Sequence, residues 1–143
     1  MPAAAEQAPP PPESAARGAR ILLVEDEPGL RALARRVLET YGYQVVMAAD
    51  AEEALVAAAS EPAFDLLLTD VVMPGLNGRE LAERLCSRFA DLRVLYMSGY
   101  AESTIAKEGL LPGGVVLLPK PFGIGDLVRM VRHVLDSEGP SRP

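Results

Sequence analysis

Five polar residues stand where apolar runs of this 143-residue chain end. Glu25 and Asp26 follow Ile21-Leu22-Leu23-Val24, Asp70 closes a run through Leu66-Leu67-Leu68, Ser98 follows Val94-Leu95-Tyr96-Met97, and Lys120 comes after Val115-Val116-Leu117-Leu118. Singly, each has a plain explanation: acids and serines are common in turns, Asp70 can merely cap a strand exit, and a lysine is usually solvated. Together they suggest a chemistry. Three carboxylates at one edge repel one another and become tolerable around a hard cation; Mg²⁺ suits because it takes oxygen ligands, keeps waters and bridges to phosphate. A carboxylate is also a nucleophile that forms an aspartyl phosphate. Phosphoryl transfer asks the protein mainly for alignment and for neutralisation of charge on the transferred oxygens. The Lys120 ammonium could supply part of that neutralisation, and the Ser98 hydroxyl a hydrogen bond to a phosphoryl oxygen.

For these groups to meet, the elements carrying them must bring their exits to one edge. Short apolar runs that leave through turn residues, such as Pro74-Gly75 and Asn77-Gly78 after Asp70, read as buried parallel strands. Strands are expected over residues 20–24, 44–48, 66–70, 94–97 and 115–118. Between them lie helical patterns. Pro28 opens a helix with Leu30, Leu33, Ala34, Val37 and Leu38 on its inner face, closing before Gly42. Asp50 caps a second helix with Glu53 at the capping-box position. A third runs from about Gly78 to Phe89, a short fourth from Glu102 to Glu108, and a last from Ile124 to Asp136 with Ile124, Leu127, Val128, Val131, Val134 and Leu135 inward. Five strand–helix pairs in strict alternation predict a doubly wound parallel α/β sheet, because right-handed crossovers place helices on both faces. Ligands of such sheets bind at the carboxyl ends of the strands, where the five polar residues fall.

Bulk properties narrow the function. The 49% hydrophobic content fits one compact domain, and the formal net charge of −6 lacks the basic surface that nucleic-acid binding needs. The single Cys86 rules out an internal disulfide and every multi-cysteine metal site. No apolar run approaches a membrane span and the start carries no signal-peptide pattern, so a cytoplasmic protein without membrane contact is expected. Residues 1–18 are rich in Ala and Pro and read as a disordered tail or linker, with Pro9 to Pro12 an extended spacer; residues 137–143 read as a flexible C-terminal tail. Arg31, Arg35 and Arg36 read as a solvated face of the first helix, and His133 as a surface residue.

The motifs Val24-Glu25-Asp26-Glu27-Pro28, Asp70-Val71-Val72-Met73-Pro74-Gly75-Leu76-Asn77-Gly78, Met97-Ser98-Gly99-Tyr100 and Lys120-Pro121-Phe122 resemble, in order and at similar spacing, those of the receiver domain of two-component response regulators. The resemblance covers about residues 20–136. It implies a flavodoxin-like fold with strand order 2-1-3-4-5 in a single receiver domain over residues 19–136. It also implies that Asp70 is the phosphoacceptor, served by a histidine kinase or a histidine phosphotransfer protein. Asp26 and Asp70 would ligate Mg²⁺ directly, the main-chain carbonyl of Val72 would complete the protein's share, and Glu25 would act through water. Ser98 would be the switch hydroxyl, Lys120 the phosphoryl-pairing lysine, and Lys120-Pro121 a cis peptide.

One departure stands out. Leu117 occupies the place where the family commonly carries the aromatic half of its switch, and Tyr100 could take over some of that role or shield the site. Bulk at Tyr100 and an apolar Val72 would hinder an attacking water, giving a long-lived aspartyl phosphate. The leading expectation is therefore a phosphoryl-accepting signalling receiver with a downstream protein target and no separate enzymatic activity, either free-standing or the C-terminal receiver of a hybrid histidine kinase. The alternatives are a receiver-fold interaction module that does not switch by phosphorylation, and a Mg²⁺-dependent phosphohydrolase. The last usually needs a second carboxylate two residues after its nucleophile, where this chain has Val72.

Overall fold

A computed structural model describes residues 18–61, 63–72, 75–99 and 116–136. Five strands form one sheet: β1 (Arg20–Val24), β2 (Gln44–Ala48), β3 (Leu66–Asp70), β4 (Arg93–Ser98) and β5 (Val116–Pro119). All neighbours pair in parallel, and the order is β2-β1-β3-β4-β5, the doubly wound topology expected of the alternating pattern. Four helices are described: α1 (Pro28–Thr40), α2 (Ala51–Ala59), α3 (Gly78–Arg88) and α4 (Ile124–Asp136). The helix expected over 102–108, Tyr100, Met73-Pro74 and both tails beyond residues 18 and 136 lie outside the described residues.

The apolar runs are continuous because both faces of the sheet are covered. Ile21, Leu23, Leu66, Leu68, Leu95 and Met97 face α1 and α4 and pack with Val37, Leu38, Leu127, Val128 and Val131. Their neighbours Leu22, Val24, Leu67, Val94 and Tyr96 face α2 and α3 and pack with Ala54, Ala58, Leu81 and Leu85. With a side-chain period of two, a strand buried on both faces has no polar alternation to show. β3 is buried at every position, so its last residue, Asp70, is delivered at the centre of the sheet edge.

The helix starts are fixed by local hydrogen bonds. Glu27 caps α1 by accepting the Leu30 N–H at 2.6 Å, with Pro28 in the first turn where its missing N–H costs nothing. Asp50 caps α2 by accepting the Glu53 N–H at 2.9 Å; the returning Glu53 carboxylate takes the Ala49 N–H at 2.8 Å, one residue before the position a reciprocal box would use. α3 has the full box, Asn77 accepting from Glu80 at 2.8 Å and Glu80 from Asn77 at 3.0 Å.

Two residues assigned inward by periodicity are not. Leu33 is 49% exposed and Ile124 47%. Both line a small groove between α1 and the start of α4, with Leu30, Val37 and Phe122.

Candidate functional site

The sheet order places four exits side by side. Glu25 follows β1, Asp70 and Ser98 are the last residues of β3 and β4, and Lys120 follows β5. β4 and β5 stay together past their ends, because the Lys120 N–H donates to the Ser98 carbonyl at 2.7 Å, and the Lys120–Pro121 peptide is cis.

Lys120 Nζ lies 2.6 Å from Asp70 Oδ1 and 2.8 Å from Glu25 Oε1, so one ammonium is shared by two carboxylates. Both acids are buried: Glu25 is 1% exposed and Asp70 5%. Glu25 Oε2 accepts the Glu27 N–H at 2.9 Å. Glu25 Oε1, also buried, has no aligned hydrogen-bond donor and meets the Lys120 charge as an ion pair only. Asp26, the third acid, is exposed. One carboxylate oxygen from each of Glu25, Asp26 and Asp70 lies within 4.8 Å of the other two. An all-oxygen set with one underused buried oxygen and one solvent-facing carboxylate fits a hard divalent cation that keeps part of its water shell.

Electrostatics reflect three acids against one lysine. Burial pushes the Asp70 carboxyl up to about 7, opposed by its hydrogen bond from Lys120 and reinforced by the nearby Glu25 charge. Although Asp70 touches a cation, the direction is upward, because that cation is divided between two acids and desolvation is the larger effect. Burial works against the Lys120 charge, but its contacts with Asp70 and Glu25 outweigh that and hold it above the usual lysine range.

The loop after Asp70 is held from α3. The Gly78 N–H donates to the Val71 carbonyl at 2.7 Å, and a Cβ on Gly78 would stand 2.0 Å from the Asp70 carbonyl oxygen. Only glycine lets the first turn of α3 approach the phosphoacceptor candidate this closely. On the other side, Arg31 Nη1 donates to the main-chain carbonyl of Glu25 at 2.7 Å. Arg31 is therefore not part of a solvated face, as its neighbours suggested; its side chain turns back from α1 to the exit of β1.

The structure thus brings together Glu25, Asp26, Asp70 and Lys120, with Ser98 buried one residue beyond the β3–β4 pairing of Asp70 with Met97. Val72 lies in the exit loop with its side chain 50% exposed. Leu117 is half-buried against the α2–α3 side of the core, and Pro121 is exposed. Sequence reasoning missed the direct Glu25–Lys120 pair and the close approach of Gly78. The Asn77-Gly78 dipeptide signalled a turn, but nothing in it signalled contact with residue 70.

A doubly wound parallel sheet with an acid cluster and a lysine at its carboxyl edge defines a flavodoxin-like α/β domain of the receiver type. The family model for the response regulator receiver domain matches residues 21–132, and the chain belongs to that family, the receiver domains of two-component signalling. It is 36% identical to the response regulator receiver protein CpdR of Brucella abortus over 81% of this chain and 96% of that protein. It is 35% identical to the sensor kinase CckA of the same organism over 84% of this chain but only 13% of that protein. The crystal structure of the receiver domain of hybrid histidine kinase CckA superimposes with TM-score 0.68 at 36% identity, covering 82% of this chain and 99% of the other. CheY4, a chemotaxis protein of Vibrio cholerae, superimposes with TM-score 0.70 at 30% identity, over 81% and 98%. Among the described residues no helix is long and apolar enough to cross a membrane.

Proposed function

We propose that this receiver accepts a phosphoryl group onto Asp70 from a phosphohistidine of a histidine kinase or phosphotransfer protein, in the cytoplasm, and signals to a protein target by the resulting change at its β4–β5 edge. The observation that carries the reading is the pairing of Asp70, buried at the central strand end, with Lys120 at 2.6 Å inside a three-carboxylate cluster. An Asp70 oxygen attacks phosphorus as the P–N bond to the donor imidazole breaks, and the departing imidazole nitrogen takes a proton from solvent. Asp26, Asp70 and the Val72 carbonyl would hold Mg²⁺, with Glu25 acting through water, and the ion would supply charge neutralisation on the phosphoryl oxygens. Lys120, already on Asp70, pairs with the transferred group, and the Ser98 hydroxyl moves to a phosphoryl oxygen. An Asp70 raised to about 7 is a poor nucleophile while protonated, so it is the ionised form that attacks.

Residues 19–136 form the receiver unit in this reading, 1–18 a linker or tail and 137–143 a tail. Matches over nearly all of CpdR and of the isolated CckA receiver support a place either as a free regulator or as a hybrid-kinase receiver. A second reading, a receiver-fold interaction module, draws on Leu117: a half-buried aliphatic side chain has no ring to rotate between an inward and an outward state. The test is intact mass after incubation with Mg²⁺ and acetyl phosphate, and separately with a phosphorylated histidine partner. One added phosphoryl group, lost with chelator and absent in Asp70→Asn, is expected. No gain with either donor leaves the interaction module.

A further inference from the structure

The Asp26 carboxylate is the one acid of the cluster whose own side chain nothing holds among the described residues. Glu25, by contrast, is tied at every polar group: its N–H to the Ala48 carbonyl at 3.1 Å, Oε2 to Glu27, Oε1 to Lys120 and its carbonyl to Arg31. Asp26 makes no hydrogen bond or ion pair there through its carboxylate, so its direction depends on the backbone it extends from and on its own χ rotamer. That backbone is the Glu25–Asp26 peptide, a rigid plane whose oxygen is the atom Arg31 Nη1 grips at 2.7 Å. We propose that Arg31 is a positioning residue for the cation site: by fixing the Glu25–Asp26 peptide plane from α1, it aims the Asp26 carboxylate at Glu25 and Asp70.

This inference rests on the reading of the cluster as a Mg²⁺ site, and it runs against simple electrostatics. A guanidinium next to a cation site repels the cation, so a bystander arginine, once removed, leaves Mg²⁺ binding tighter. A positioning arginine leaves it weaker, in the way that lost outer partners of metal ligands commonly cost about tenfold or more in affinity. The sign of the effect separates the two roles.

The measurement is calorimetric titration of Mg²⁺ into the metal-free, unphosphorylated full chain for wild type, R31A and R31K. R31A is expected to weaken binding by about tenfold. R31K keeps the charge and one donor, and is expected to recover part of the loss. In acetyl phosphate reactions the Mg²⁺ concentration for half-maximal rate should rise by the same factor, with the rate at saturating Mg²⁺ unchanged. Equal or tighter Mg²⁺ binding in both variants overturns the role of Arg31 while leaving the site intact. Absence of Mg²⁺ binding by wild type overturns the cation site itself, and the inference with it. Should R31A fail to melt cooperatively, R31K against wild type decides: weaker binding supports the positioning role and unchanged binding refutes it.

Discussion

Replacing the phosphoacceptor candidate by its neutral isostere should make the metal-free protein more stable, and only above a particular pH. Asp70 titrates at about 7 in the folded chain against an ordinary 3.8, with burial the main cause. A group whose folded value lies above its unfolded one binds its proton more tightly when folded. Its contribution is fully present below about pH 4 and is lost as pH rises through 7. The gap corresponds to about 4 kcal/mol as an upper bound, at about 1.36 kcal/mol per tenfold in proton affinity. An asparagine side chain at this position resembles the protonated acid and keeps an oxygen for Lys120. Relaxation around the ionised acid reduces the gain, so Asp70→Asn should stabilise by about 1–3 kcal/mol at pH 8 and by little at pH 5. Urea unfolding with chelator at both pH values reads this as a shift of midpoint at constant slope. Saturating Mg²⁺ should narrow the difference at pH 8, because a ligand bound only by the folded wild type adds stability by mass action. A variant less stable than wild type at pH 8 without metal, or equally stabilised at both pH values, refutes the argument that burial and Glu25 outweigh Lys120 at Asp70.

Two further substitutions probe the same cluster. Lys120→Met leaves Glu25 and Asp70 buried without their shared cation and should destabilise the metal-free protein by about 2–4 kcal/mol, measured by urea unfolding at pH 8, where the acids carry most charge; a change below about 1 kcal/mol contradicts the shared-ammonium picture. Gly78→Ala sets a Cβ 2.0 Å from the Asp70 carbonyl oxygen, so the backbone must move by roughly an ångström or more. A loss of about 2 kcal/mol or more is expected, with slower phosphorylation by acetyl phosphate because the displaced backbone carries Asp70; wild-type stability and rate in this variant would show that the α3 start does not bear on the site.

The sheet was legible because its inner strands are apolar runs and four of the five strands leave on polar residues, a pattern that needs no distant information. The cluster was legible for a related reason. Parallel topology brings all strand exits to one edge, so residue types at run ends predict what meets there. Helix faces were less legible: periodicity identified most of the apolar stripe of α1 and α4, but it cannot say which residues at its margin the neighbouring elements cover, and Leu33 and Ile124 stay about half exposed. The positioning contacts were not legible at all. Arg31 sits among other arginines and looks like them, and its difference lies in a bend of the side chain toward a carbonyl six residues back. Gly78 is punctuation in one dimension and a steric requirement in three.

In the reading proposed here, the site's composition suits a switch better than a scaffold. Three carboxylates against one lysine leave the metal-free cluster with excess negative charge, part of it under nearly complete burial. A structural core would replace such a group with apolar side chains of similar volume and gain stability. Retaining it makes the carboxyl edge the region whose energy changes most when a cation or a phosphoryl group arrives. Lys120 is the element such an arrival redirects, since it now divides itself between Glu25 and Asp70. In the proposed reading, charge added or removed on either acid would shift that division, and the Lys120 N–H on the Ser98 carbonyl links Lys120 to the paired ends of β4 and β5. With Leu117 in place of an aromatic ring, this backbone link is the route by which the reading proposed here carries the signal outward.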